Sequence, residues 1–199
     1  MRPLPKFSLV VLHGPAGCGK DTAFRQIHRR FRANRWAVAD QIKSAVHAMI
    51  GLAVPSSYYE DCEDLAHPDF AGISPRQAYI DYGNQMRATH GPDVFVRQTA
   101  ENILIAGTRD PHAVQVVTDC RLQLEWDIYQ MVSSGAVLWK IKALGVEWRP
   151  SDVGDRYISS HDALLVNDLG QREADAPYSW WVDDALRKTV DVEKLRRAA

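Results

Sequence analysis

Residues 7–27 read FSLVVLHGPAGCGKDTAFRQI, an apolar run that enters a glycine-rich turn and leaves it on a helical pattern. Gly14, Pro15, Ala16, Gly17, Cys18, Gly19 and Lys20 fit G-x-x-x-x-G-K. With Gly near 7% of residues and Lys at a similar share, that pattern arises by chance in roughly one in twenty chains of this length. Its setting makes chance a poor account, because a strand followed by an amphipathic helix is the context in which the motif cradles phosphates. Glycines let successive backbone N–H groups turn inward, and the helix adds the positive end of its dipole. Lys20 is expected to bridge the β- and γ-phosphates of ATP.

The next residue is unusual. Asp21 stands where such loops carry Ser or Thr, whose hydroxyl ligates Mg²⁺. A carboxylate is also a hard oxygen ligand, able to hold the ion directly or through water. It also adds like charge beside a polyphosphate, which the metal must offset. Asp21 is alternatively a first-turn carboxylate that suits the helix dipole. Thr22 comes next, with a hydroxyl in reach of a phosphate. Cys18 lies near a helix N-terminus, where a thiol pKa tends to fall, so thiol reagents are expected to inhibit unless ATP is bound.

Outward from the loop, apolar runs bounded by turns predict five parallel strands: Phe7–Leu12, Trp36–Ala39, Ala113–Thr118, Ala136–Ile141 and Trp180–Val182. They are rich in Val rather than alternating, as strands covered on both faces are. Between them lie helical patterns. Phe24, Ile27 and Phe31 share one face, and the arginines at 25, 29, 30, 32 and 35 read as a solvated helix face. Asp40 is placed to cap a helix carrying Ile42, Ala45, Val46, Met49 and Ile50, ended by Gly51. SPRQ at 74–77 is a capping box with Pro at the first helical position. Val96, Ala100 and Ile103 mark a helix closed by Gly107; Leu124, Ile128 and Met131 mark another closed by Gly135. Alternating strands and helices imply a three-layer α/β sandwich with right-handed crossovers. The segments 52–73, acidic and aromatic, and 146–178, polar with Gly, Pro and Ser, break the rhythm and read as loops or lids.

At 199 residues the chain suits one domain with inserted lobes, and 46% hydrophobic with 25% charged residues is enough for a proper core. A net charge of -1 lacks the basic footprint of a duplex-binding protein, so nucleic acid is not the expected partner unless a local basic cleft forms. Three cysteines without CxxC spacing argue for a reducing compartment and against a zinc site. The N-terminal apolar run is too short for a signal peptide or a membrane span. The expectation is a soluble cytoplasmic protein that contacts no membrane.

GKDT, taken with the segments downstream of it, resembles the deoxynucleoside monophosphate kinases of bacteriophages and, more loosely, animal phosphomevalonate kinases. VADQIKSAV is similar to that family's strand-to-helix segment with Asp and Lys, here Asp40 and Lys43. SPRQAYIDYGNQMRATHGPDVFVRQTAENI resembles its Ser/Thr-Pro-Arg helix, a Gly-containing continuation and a helix opened by Asp and an aromatic. VVTDCRLQLEWDIYQMVSSGAVLWKI resembles a Walker-B strand ending Asp-x-Arg, a helix containing Glu, and the next strand. RPSDVGDRYISSHDALL sits where the lid belongs. The resemblance covers nearly the whole chain. It implies the nucleoside monophosphate kinase variant of the P-loop fold: one domain over 1–199, an acceptor-binding insert at about 40–107 and a lid at about 146–178. ATP and Mg²⁺ would be used, and a phage origin would place the protein in host cytoplasm.

Phosphoryl transfer asks a protein mainly to align donor and acceptor and to neutralise charge, which favours arginines from several segments. Asp119, at the carboxyl end of a strand, reads as the Walker-B carboxylate orienting Mg²⁺ or its waters, or as a cap for the next helix. Arg121 is a candidate phosphate clamp. Arg76, near a capped helix N-terminus, is the first choice for the acceptor phosphate. Arg87 and Arg97 are weaker candidates. Asp40 and Lys43 could reach the acceptor's sugar or phosphate, and Phe95 could stack on its base or pack in the core. In the lid, Arg149 and Arg156 would grip ATP and the moving phosphoryl on closure and exclude water. His161 beside them reads as a surface residue.

Two competing readings stand beside a deoxynucleoside monophosphate kinase. One keeps the chemistry and changes the acceptor to a modified nucleotide, a hydroxymethylated base in DNA, or phosphomevalonate. The other is a non-catalytic nucleotide binder. Acidic YYEDCEDLAHPD gives no sign of a DNA cleft, and VNDLG does not fit the N-K-x-D guanine motif. Base preference, exclusion of ribose and oligomeric state, a homodimer included, stay open.

Overall fold

β1 (Ser8–His13) runs through the centre of a five-stranded sheet in the computed structural model. The described residues are 4–143, 145–146, 158, 161–167, 175–191 and 195, the side chains of 175–179 excepted. They form two compact units, Met1–Trp36 with Thr99–Ala199, and Ala37–Gln98.

In the first unit, β1 pairs in parallel with β3 (Val114–Cys120) on one side and β4 (Gly135–Ala143) on the other. Leu9 stands opposite both Gln115 and Ala136. β2 (Ala33–Trp36) and β5 (Ala163–Asn167) form the edges, giving the order β2-β3-β1-β4-β5, all parallel. Side chains alternate between the faces of a strand. Val10, Leu12, Val114, Val116, Trp139, Ile141 and Leu165 pack in one core with Ala23 and Ile27 of α1 (Lys20–His28) and Val182, Ala185 and Leu186 of α6 (Asp175–Thr189). Leu9, Val11, Val117 and Leu138 take the alternate positions and are also fully buried. Close packing there needs glycine. A Cβ on Gly107 of α4 (Val94–Arg109) would lie 2.6 Å from the Phe7 ring. α5 (Gln123–Gln130) buries Trp126, Ile128 and Tyr129 and leaves Leu124 and Met131 exposed.

The second unit begins with α2 (Val38–Met49) and α3 (Pro75–His90), joined through two 3-10 turns at Ser56–Cys62 and Pro68–Phe70. Ser74 caps α3 by accepting from the Gln77 N–H at 3.1 Å. Gly51 at φ 75° and Gly91 at φ 101° follow the ends of α2 and α3. The core of this unit is aromatic. His47 is buried between Tyr59 and Phe70, with ring centroids 5.4 and 5.9 Å away. Its Nδ1 lies 3.0 Å from the Val54 carbonyl, which can only accept, so Nε2 is left to accept from the Tyr79 hydroxyl at 2.8 Å. The segment 52–73, expected to be a loop or lid, supplies Tyr59 and Phe70 to this core.

Several expectations are corrected. The strand expected over 36–39 lies earlier: β2 is Ala33–Trp36, and the chain is helical from Val38, so Asp40 sits inside the first turn rather than at the cap. Trp180–Val182 is part of α6, and the fifth strand is β5, within the segment read as a lid. Gly107 lies inside α4, and Gly135 opens β4. The arginine series is not one solvated face. Arg30 pairs with Asp183 at 2.6 Å and Arg32 with Asp110 at 2.5 Å, while Arg35 lies on β2.

Candidate functional site

Gly14 follows β1 directly and has no room for a side chain. A Cβ there would lie 2.5 Å from the Ile141 carbonyl oxygen and 2.7 Å from Cys18 Sγ. Gly17 and Gly19 take φ of 77° and 102°, the left-handed region in which glycine carries no penalty. The turn closes with the Cys18 N–H donating to the Pro15 carbonyl at 3.3 Å, and α1 starts at Lys20. Pro15 and Ala16 complete the loop. Lys20 Nζ donates to the carbonyls of Gly14 and Pro15 at 2.7 Å each, folded over the cradle whose phosphates it would hold. The first N–H groups of a helix have no partners within it and, with the dipole, favour an anion.

Two residues absent from the sequence-based expectations are buried at the strand ends beside this loop. Asn167, the last residue of β5, is buried and donates from Nδ2 to the Cys18 carbonyl at 3.0 Å. His13, the last of β1, is buried with Nδ1 3.2 Å from the Cys120 carbonyl. Burial lowers its pKa, and the charges of Lys140 and Lys20 act the same way against that hydrogen bond. A His ending an apolar strand was the available signal for His13; nothing local marks Asn167.

Cys18 departs from expectation. It is fully buried, and burial pushes its thiol pKa up despite Lys20, whose Nζ is 3.8 Å from Sγ. Asp21 is exposed and paired with Arg35, Oδ1 to Nε at 3.1 Å. The Thr22 hydroxyl accepts from Arg25 Nη2 at 3.0 Å.

Asp119 sits near the carboxyl end of β3, half-buried. Behind it, Glu125 accepts from the backbone N–H groups of Arg121 (2.6 Å) and Leu122 (3.1 Å), closing the start of α5. Burial pushes Glu125 up to about 7, aided by the charge of Asp119 and opposed by those two hydrogen bonds. The Tyr129 hydroxyl is also driven up, first by burial and then by Asp119 and Glu125. Arg121 itself is exposed. Among the described residues no three His, Cys, Asp or Glu side chains gather to hold a metal alone. Asp119 and Asp21 each offer hard oxygens of the kind Mg²⁺ takes.

In the second unit Lys43 and Arg76 converge on one carboxylate. Glu63 reaches Lys43 Nζ at 2.8 Å and Arg76 Nη2 at 2.7 Å, and Arg76 Nε meets Asp64 at 2.5 Å. Asp40 is exposed in the first turn of α2. Arg87 lies over the Phe95 ring, 5.6 Å from its centroid, and Phe95 is buried, so this ring packs as core instead of facing a base. Arg97 is exposed and pairs with Asp93 one turn away. Arg149 and Arg156 lie outside the described residues; His161 is exposed.

No protein-family model matches the chain, and no curated protein matches it. Solved structures do. A sugar kinase from Janibacter sp. HTCC2649, solved without ligand, superposes with a TM-score of 0.50 at 11% identity, over 92% of this chain and 94% of its own. A protein assigned as a kinase from Chloroflexus aurantiacus j-10-fl superposes at 0.51 and 12% identity, over 92% of this chain and 98% of its own. With the parallel five-stranded sheet and the glycine loop after β1, these decide the architecture. The fold is the P-loop NTPase fold. At such identities the likeness concerns architecture, and the chemistry must come from the residues above. No helix among the described residues is long and apolar enough to cross a membrane.

Proposed function

We propose that the protein is an ATP- and Mg²⁺-dependent kinase that phosphorylates a deoxynucleoside 5′-monophosphate to the diphosphate. Two observations, each within its own unit, support this: a glycine cradle with Lys20 folded over it in the first, and Lys43 and Arg76 brought together in the second. The first set suits the donor; the second suits an acceptor that bears a phosphate. Both similar structures are described as kinases, which supports phosphotransfer.

In this account an acceptor phosphate oxygen attacks the γ-phosphorus of ATP. The bond to the β-γ bridging oxygen breaks, and ADP leaves with the electron pair. The protein's part is positioning and charge neutralisation. Lys20 and the loop N–H groups would hold the donor, and Asp119 and Asp21 would hold Mg²⁺, which would offset phosphate charge when bound. Arg76 and Lys43 fix the acceptor phosphate, and Asp40 reaches its sugar. Arg121, Arg149 and Arg156 are the candidates to meet the transferring group. A phosphate-bearing small acceptor also accommodates a modified nucleotide or phosphomevalonate. A DNA acceptor has less support, because the segment that meets Arg76 is acidic.

The test is an ATP/Mg²⁺ assay against deoxy, ribo and base-modified monophosphates and phosphomevalonate, with products identified by mass. Diphosphates from the deoxy forms are expected. Nucleotide binding without transfer to any acceptor would favour a non-catalytic binder.

A further inference from the structure

Arg76 and Lys43 already hold anions of their own chain. Glu63 bridges them with its two oxygens, 2.8 Å to Lys43 and 2.7 Å to Arg76. Asp64 takes another edge of the guanidinium, Oδ1 at 2.5 Å from Nε and Oδ2 at 3.4 Å from Nη2. The planar fork that suits a phosphate is thus filled by carboxylates, and the two positive and two negative charges cancel. A phosphate arriving here meets no net attraction unless one carboxylate gives way.

The two carboxylates differ in how they are held. The Glu63 side chain is 16% exposed and touches both cations. Its backbone carbonyl also accepts from the Arg76 N–H at 2.9 Å, so it is fixed to the start of α3. The Asp64 side chain is 71% exposed. An ion pair so exposed contributes little and re-forms in water at small cost.

We propose that Asp64 is a resident counter-anion of the acceptor site, displaced from Arg76 by the incoming phosphate, while Glu63 stays as the strut that holds Lys43 and Arg76 together. This rests on the assignment of Arg76 to the acceptor phosphate. Displacement makes Asp64 a specificity-determining residue. A phosphate monoester dianion brings one more negative charge to Arg76 than the carboxylate it replaces, whereas a carboxylate monoanion replaces like with like. The site therefore favours a phosphate dianion over small carboxylate monoanions.

The experiment titrates inorganic phosphate and each deoxynucleoside 5′-monophosphate into the full chain without ATP. Affinity is read by calorimetry, and the Arg76 Nε–H signal by ¹H–¹⁵N NMR. Phosphate should shift that signal in the unmodified protein. Asp64→Asn should tighten binding about fivefold, the range of an exposed ion pair. Arg76→Ala should weaken binding at least tenfold, and adding Asp64→Asn to it should change nothing further. If Asp64→Asn leaves affinity unchanged or weakens it while Arg76→Ala weakens it, the counter-anion role is wrong and the acceptor site stands. If Arg76→Ala has no effect, the acceptor assignment falls and takes this proposal with it.

Discussion

Arg35 Nε lies 3.1 Å from Asp21 Oδ1, so the carboxylate that replaces the usual loop hydroxyl is held by β2. Both side chains meet solvent, and such a pair contributes at most about 1 kcal/mol. A bound cation can reclaim Asp21 at that cost. Arg35→Ala should therefore lower the Mg²⁺ concentration for half-maximal phosphotransfer, and Asp21→Ala should raise it several-fold, with thermal stability within about 1 kcal/mol of the parent in both. A Mg²⁺ titration of initial rates checks this; identical Mg²⁺ curves would remove Asp21 from the metal site.

Asn167 fixes the loop from the far end of the sheet. Asn167→Ala would leave the buried Cys18 carbonyl without its side-chain donor, a loss of about 1–3 kcal/mol. Because that carbonyl belongs to the phosphate cradle, the loss should appear as roughly a tenfold rise in the KM for ATP, with the KM for the acceptor little changed. Steady-state kinetics with each substrate varied in turn would show it.

Burial at Cys18 makes the thiol a poor nucleophile. Alkylation should label the half-buried Cys62 before Cys18. Peptide mass mapping over a time course reads the order, and early Cys18 labelling would show that the loop opens readily.

Glu125 makes stability depend on pH in the direction opposite to most carboxylates. Its folded pKa of about 7 exceeds the ordinary 4.5, so between those values the folded state keeps a proton that the unfolded state has lost. Its contribution is fully present below about 4.5 and is lost as pH rises through about 7. Thermal melts from pH 4.5 to 8.5 should show the parent losing on the order of 1–3 kcal/mol relative to Glu125→Gln. Parallel pH curves would contradict the assignment.

The central strands and the loop were legible because β1 and β3 are buried on both faces and read as apolar runs, and β4 opens on the apolar run Ala136–Trp139. The edges were not. β2 is Ala-Asn-Arg-Trp, half exposed and without an apolar run, and the neighbouring apolar residues continue into α2. Trp180–Val182 read as a strand because a short apolar run has no resolvable period; Val182, Ala185 and Leu186 hold the helical spacing that decides it. At the site, Lys20 and the glycines announce themselves by local spacing. Asn167 meeting Cys18, Arg35 meeting Asp21 and Glu63 meeting Lys43 depend on chain segments that only folding brings together.

The proposed division between Lys20 on the donor and Arg76 on the acceptor is tested most directly by two-substrate kinetics on Lys20→Ala and Arg76→Ala, with γ-labelled ATP and the monophosphate panel. Lys20→Ala should lose orders of magnitude in turnover while the fold survives. Arg76→Ala should raise the KM for the monophosphate far more than the KM for ATP, with label still reaching the diphosphate. Equal effects of Arg76→Ala on both KM values, or near-normal turnover in Lys20→Ala, would contradict the account.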